Sequence, residues 1–222
     1  MSDPPALSRR LAAEAIGSFF LFATVIGSGI MAENLSDGND AVALIGNTAA
    51  TGAMLFVLIS MIGPISGAHM NPAVSLVAAS RRELGWGDAA AYITAQLAFG
   101  ILGVWVAHWM FELPALQLSV KPRTGAGQWL GEAIATFGLI LTILGTVRHR
   151  PKAVAASVAL YITAAYWFTS STSFANPAIT VARSLSDTFA GIAPANVPLF
   201  VLAQLMGAAG AAALAKLLFD ES

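Results

Sequence analysis

Long apolar stretches that separate the charged residues constrain this chain more than any other feature. About 20 helical residues are enough to cross a bilayer. We predict six membrane-spanning helices, at residues 8–32, 43–63, 89–111, 128–147, 153–171 and 197–219. Two more apolar stretches, near 71–82 and 176–187, are too short to cross. The pattern predicts an all-α integral membrane protein.

The composition excludes several other classes of protein. Only 10% of the 222 residues are charged, whereas soluble domains carry about 25%. A nucleic-acid partner is not expected, because binding one requires a basic face. The chain has no cysteine, and its three histidines form no two-histidine zinc motif. We therefore expect no metal, no cofactor and no enzymatic activity.

The basic residues predict an orientation in the membrane, because cytoplasmic loops carry an excess of Lys and Arg. With the N-terminus inside, eight basic residues are cytoplasmic and three are external. The inside set is Arg9, Arg10, Arg81, Arg82, Arg148, Arg150, Lys152 and Lys216, and the outside set is Lys121, Arg123 and Arg183. We expect a multi-pass protein of the cell (plasma or inner) membrane with both termini cytoplasmic.

The two halves of the chain repeat three features in the same order. The matched pairs are Glu14 with Glu132, Asn71 with Asn176, and Gln96 with Gln204. We interpret residues 1–222 as one domain built from repeats at about 8–111 and 128–219. Each repeat has three spans, and an odd number of spans makes the second copy enter from the opposite side. The repeats are therefore inverted, as in many transport proteins.

The two short segments each begin with Asn-Pro-Ala, which is a strong helix start. Asn is a favoured N-cap, and Pro suits the first helical position. Loop backbone inside a bilayer is tolerated only where it is buried in protein or lines a wet cavity. Two re-entrant half-helices therefore imply a pore, with their starts meeting near the midplane.

The pore centre can be predicted from these helix starts. Each start carries roughly half a positive charge from the helix dipole. Capping occupies the side-chain oxygens of Asn71 and Asn176, which leaves their amide N–H groups to donate into the lumen. We expect cations and protons to be repelled and neutral hydrogen-bonding solutes to be accepted.

The paired segments SGAHMNPAV (66–74) and SFANPA (173–178) resemble the signature of the aquaporin and glycerol-facilitator (major intrinsic protein) family. The matched Glu and Gln positions extend the resemblance over nearly the whole chain. It implies six tilted helices and two half-helices around a narrow pore. It also implies a homotetramer in the lipid bilayer and passive flow of small neutral solutes, as in bacterial aquaglyceroporins.

The chain departs from the family at the constriction that sets selectivity. An Arg normally follows the second Asn-Pro-Ala, and Ile179 occupies that position here. Arg183 lies one helical turn further out on the same face, and we expect it to act as an outer pore cation. The other constriction positions fall at Thr51, at Ala164 or Ala165, and at Ser173 or Phe174. We choose Thr51, Ala165, Phe174 and Ile179.

This constriction is wide and half apolar, so we expect passage of water, glycerol-sized polyols, urea and neutral metalloid hydroxides such as arsenous acid. In the family, the residues that match Glu14 and Glu132 support the re-entrant loops, although intramembrane carboxylates also invite a proton-relay interpretation. We expect His69 to be a loop-supporting residue as well.

A secondary active transporter is the alternative function, because such proteins also use inverted repeats and broken helices. The only charges deep in the predicted spans are the two glutamates, without an intramembrane basic partner. The channel is therefore the favoured interpretation.

Overall fold

The computed structural model of the protein describes residues 5–219, so both extremes of the predicted 1–222 domain lie outside the described residues. The described part is all-helical and contains no β-strand, which confirms the predicted fold class. Residues 5–219 form eight α-helices: α1 (Leu7–Leu35), α2 (Asp40–Ser66), α3 (Pro72–Ser80), α4 (Trp86–Met110), α5 (Ala126–His149), α6 (Val154–Phe168), α7 (Pro177–Arg183) and α8 (Val197–Phe219).

Six of these helices correspond to the six predicted membrane spans. Five of the helices are long and apolar enough to cross a bilayer: α1, α2, α4, α5 and α8. Helix α6 has 15 residues and follows a 3-10 turn at Pro151–Ala153. The predicted span 153–171 was too long at its end, because Thr169 adopts an extended backbone and its hydroxyl bonds the Ala165 carbonyl at 2.7 Å. The chain turns there into the loop that precedes α7.

The half-helices α3 and α7 lie where the two Asn-Pro-Ala segments predict them. They contain 9 and 7 residues, so both end earlier than the predicted stretches 71–82 and 176–187. Each contacts both α4 and α8, and the two half-helices also contact each other. Helix α1 packs on α4 in one half, as α5 packs on α8 in the other.

Glycine allows the closest of these helix approaches. A Cβ atom on Gly103 of α4 would lie 2.3 Å from the Phe19 carbonyl oxygen of α1. In the other half, a Cβ atom on Gly207 of α8 would lie 2.1 Å from the Ala133 carbonyl oxygen of α5. Small residues are the usual means of close helix packing in membranes, and here they allow α4 to pack closely on α1 and α8 to pack closely on α5.

Candidate functional site

The two half-helices begin with the same cap. The Asn71 side chain accepts a hydrogen bond from the Ala73 amide at 2.9 Å. The Asn176 side chain accepts from the amides of Ala178 and Ile179 at 3.0 and 3.3 Å. Both caps satisfy N–H groups that would otherwise be left without partners at a helix start.

The same two asparagines tie the loops together. Nδ2 of Asn71 donates to the Ala175 carbonyl, and Nδ2 of Asn176 donates to the Met70 carbonyl, each at 2.8 Å. One N–H of each amide is therefore used in this cross-link, and only the second remains for the lumen. The expectation that the amides are wholly open to the lumen is corrected in this respect. Both residues line the central cavity.

The loops before the caps follow the same backbone path. In the first loop Gly67, Ala68 and Met70 have φ of 87°, 50° and 47°; in the second, Thr172, Ser173 and Ala175 have 61°, 49° and 48°. Non-glycine residues adopt such left-handed conformations only when the surrounding structure holds them there.

This backbone conformation leaves several carbonyl oxygens available to accept hydrogen bonds from a solute. Among residues 5–219, no hydrogen bond ends on the carbonyl oxygens of residues 67–69 or 172–174. Residues 67–69, 173 and 174 line the cavity. A passing molecule can therefore donate hydrogen bonds to these carbonyls.

Buried glutamates hold both loops in place. Glu14 accepts from the His69 and Met70 amides at 2.8 and 2.6 Å, and from the Ser66 hydroxyl. Glu132 accepts from the Phe174 and Ala175 amides at 2.8 and 2.9 Å. Both side chains are fully buried. The carboxylates replace the water that these backbone donors lack inside a membrane.

The two glutamines link each carboxylate to its half-helix. Gln96 donates to Glu14 at 2.8 Å and to the Ser75 hydroxyl of α3. Gln204 donates to Glu132 and to the Thr180 hydroxyl of α7. His69 Nδ1 is 3.0 Å from the Ser75 hydroxyl, so its ring is tied to α3 while it lines the cavity.

A cavity of about 560 Å³ runs past these loops. Polar groups contribute to its wall, namely the loop residues, the two asparagines and Arg183. Aliphatic side chains from several spans also line it: Leu21, Val25, Leu55, Leu139, Ile143, Val158 and Ile162. The cavity therefore offers both polar and apolar contacts to a solute.

We call the end of the cavity next to Arg183 its outer end, after the predicted orientation, and three of the four predicted constriction residues line it. Thr51, Phe174 and Ile179 line it, together with Ser173. Ala165 does not; its side chain is fully buried away from the cavity. Tyr166 takes its place, with its hydroxyl 3.4 Å from Oγ1 of Thr51. Successive side chains of an α-helix point about 100° apart. A shift of one position in the predicted register therefore replaces the small side chain of Ala165 with the large side chain of Tyr166 at the cavity.

Arg183 also lines the outer end of the cavity and is only 2% exposed. Its Nε donates to the Ala190 carbonyl, and its guanidinium carbon lies 3.3 Å from the centre of the Phe174 ring. The guanidinium is therefore stacked on an aromatic face at the level of the constriction.

Sequence reasoning missed Arg123, which supports this region from the loop between the repeats. Its guanidinium donates to the carbonyls of Gly191 and Ser171 at 2.8 and 3.3 Å, and lies 5.0 Å from the Phe174 ring centre. Burial lowers the pKa of Arg123 to about 10. No local pattern marks this residue, because its partners are 48 and 68 positions away in the chain.

Comparison with known proteins identifies the family. Residues 2–171 match the family model "Major intrinsic protein". The chain is 56% identical to "Aquaglyceroporin AqpS" of Rhizobium meliloti over 96% of this chain and 91% of that protein. It is 30% identical to "Aquaporin AqpM" of Methanothermobacter thermautotrophicus, covering 97% and 99% of the two chains.

A solved structure shows the same fold. The X-ray structure of the aquaglyceroporin from Plasmodium falciparum aligns with a TM-score of 0.70 at 19% identity, covering 96% of this chain and 97% of that one. Proteins of the matched family are passive channels, so the active-transporter alternative is set aside, as is an enzyme. The chain belongs to the major intrinsic protein family and is an integral membrane channel for water and small solutes.

Proposed function

We propose that this channel passes glycerol-sized polyols, urea and neutral metalloid hydroxides such as arsenous acid as well as water, and that it excludes ions and protons. The mixed lining of the cavity, with polar loop groups together with aliphatic side chains, is the observation that carries this proposal. A polyol carries both hydroxyl groups and C–H groups. The loop carbonyls and asparagine amides suit the hydroxyls, and the aliphatic side chains suit the carbon chain.

The constriction supports the same solutes. Ile179 contributes an apolar side chain at the position where the family usually has an Arg, and Thr51, Tyr166 and Arg183 contribute polar groups. Neutral solutes with several oxygen atoms can exchange their water for these groups, as in other narrow channels. The relative named an aquaglyceroporin adds support for solutes larger than water.

Exclusion of cations and protons rests on the positive charge of the pore centre, and exclusion of anions on the cost of removing their water in a narrow channel. The N-termini of α3 and α7 meet there, and each helix dipole contributes about half a positive charge. The N–H groups of Asn71 and Asn176 orient a passing water molecule as an acceptor, which interrupts a chain of proton transfer. Glu14 and Glu132 accept hydrogen bonds from the loops, which favours a supporting role over a proton relay.

A panel of solutes in proteoliposomes tests the proposed cargo. We expect water, glycerol, urea and neutral arsenite each to equilibrate faster across vesicles that contain the protein than across protein-free vesicles, as measured by stopped-flow light scattering and, for arsenite, by uptake. Imposed proton or sodium gradients should not concentrate any of them. Passage of water alone would contradict the proposed solute range.

The Ile179→Arg variant should narrow the constriction. A second guanidinium beside Arg183 replaces the apolar face, so we expect glycerol permeability to fall about tenfold, equivalent to about 1.4 kcal/mol of added barrier, with a smaller loss of water permeability. Ile179→Leu keeps the apolar volume and serves as the control. An equal loss of both permeabilities in Ile179→Arg would argue against a constriction at this position.

We also propose that four copies assemble in the cell membrane, with both chain termini in the cytoplasm. The family resemblance supports the tetramer, and the distribution of basic residues supports the orientation. The mass of the protein in detergent, measured by light scattering with the detergent contribution subtracted, tests the first. Accessibility of single cysteines introduced into the α1–α2 and α5–α6 loops tests the second.

A further inference from the structure

Arg183 has more hydrogen-bond donors than the protein uses. A guanidinium has five N–H groups, and Nε of Arg183 bonds the Ala190 carbonyl. Among residues 5–219, no hydrogen bond begins at either terminal nitrogen, although the side chain is only 2% exposed. Because Arg183 lines the cavity, its donor edge is open to the lumen.

No carboxylate of the described chain forms an ion pair with this guanidinium, since the salt bridges there join Arg10 to Asp88 and Arg81 to Glu83. Two other cations bond the segment that holds it. Arg123 donates to the Gly191 carbonyl, and Nζ of Lys121 donates to the Phe189 carbonyl at 2.9 Å. Burial lowers the pKa of Lys121, and the charge of Arg123 lowers it further.

A buried cation that forms no ion pair is costly, and an anion of matching shape relieves that cost. Stacking on Phe174 occupies the face of the Arg183 guanidinium and leaves its planar edge available. That edge fits two oxygens of a planar oxyanion in a bidentate arrangement. Thr51 accepts from the Tyr166 hydroxyl and keeps its own hydroxyl hydrogen for a third oxygen.

We infer that the outer end of the cavity binds a small planar oxyanion, of the nitrate or carboxylate class, on Arg183, and that the bound anion blocks the pore. The anion does not cross, because the aliphatic side chains of the cavity, Ile143 and Val158 among them, cannot replace the water that a charged solute must give up. This inference rests on the pore-facing position proposed for Arg183.

Nitrate is the probe for this site, because it is planar and ionised at every working pH. Proteoliposomes are equilibrated in sodium chloride or in sodium nitrate of equal osmolarity, and water permeability is measured after a sucrose pulse. We expect nitrate to lower the permeability at least about twofold, with a half-effect near 10 mM, as a charge-assisted bidentate contact allows.

Variants assign the effect to the guanidinium. The ratio of water permeability in nitrate to that in chloride should return to one in Arg183→Gln. It should remain partly lowered in Arg183→Lys, which keeps the positive charge but loses the bidentate guanidinium edge. Arg150→Gln, at an exposed position in the α5–α6 connection, should behave as the wild type. If Arg183→Gln does not fold, the Lys variant and the wild-type titration still decide the question.

Three results would overturn the inference: equal wild-type permeability in both salts, inhibition that persists unchanged in Arg183→Gln, or a nitrate current through the wild type. The proposed cargo is judged separately, from the solute panel in chloride. If the channel passes glycerol and its water permeability is the same in nitrate and in chloride, the proposed function stands and only the anion site is rejected.

Discussion

Alanine in place of Glu132 should strongly destabilise the channel. This carboxylate accepts hydrogen bonds from the Phe174 and Ala175 amides and from Gln204, all in a fully buried position. Removing it leaves three donors without partners, each at a cost of about 1–3 kcal/mol. We expect destabilisation of at least about 3 kcal/mol, seen as loss of the monodisperse peak in detergent and a lower thermal unfolding temperature.

The control variants separate the loss of acceptors from a general effect of mutation. Glu132→Gln keeps one carbonyl oxygen in the same place, so it should be less destabilised than Glu132→Ala. Glu112→Gln changes an exposed loop carboxylate and should leave the unfolding temperature unchanged. Folded and active Glu132→Ala protein would show that the loop before α7 does not depend on this carboxylate.

Alanine at Gly103 should separate α4 from α1. The added Cβ atom would lie 2.3 Å from a backbone oxygen of Phe19, and a backbone atom cannot move aside as a flexible side chain can. We expect a loss of about 2–3 kcal/mol or more, in the upper range for an overpacked site, measured by thermal unfolding in detergent. Water permeability should fall as well, because α4 holds Gln96 against α3.

Gly87→Ala is the matched control, since it lies in the same helix with nothing within 4 Å of its Cβ position. Alanine favours a helix over glycine by about 1 kcal/mol, so this variant should be as stable as the wild type or more so. Equal unfolding temperatures for Gly103→Ala and Gly87→Ala would show that the α1–α4 approach tolerates a methyl group.

The sequence predicted the helices well because their determinants are local. Apolar length marks the spans, and Asn followed by Pro marks the start of each half-helix, as Asn71 and Asn176 show. The ends of the helices depend on more than apolar length. Helix α6 stops at Phe168 because the Thr169 hydroxyl caps the Ala165 carbonyl while the chain turns toward α7, and hydropathy does not record that turn.

The constriction was predicted only in part, because which side of a helix faces the lumen depends on the rotation of the whole helix. The sequence placed the constriction residue of α6 at Ala164 or Ala165, and Ala165 was chosen, whereas Tyr166 lines the cavity. The loop that joins α6 to α7 has left-handed residues at Thr172 and Ser173, and such a loop changes the register without leaving a clear sequence signal.

The sequence alone predicts a membrane channel with two half-helices that begin at Asn71 and Asn176, because helix capping and the length of an apolar stretch depend on residues that are neighbours in the chain. The tertiary structure decided three other points: one N–H of each amide cross-links the loops, Tyr166 lines the constriction, and Arg123 braces the segment that holds Arg183. These contacts join residues far apart in the chain, and their geometry exists only after the helices have packed.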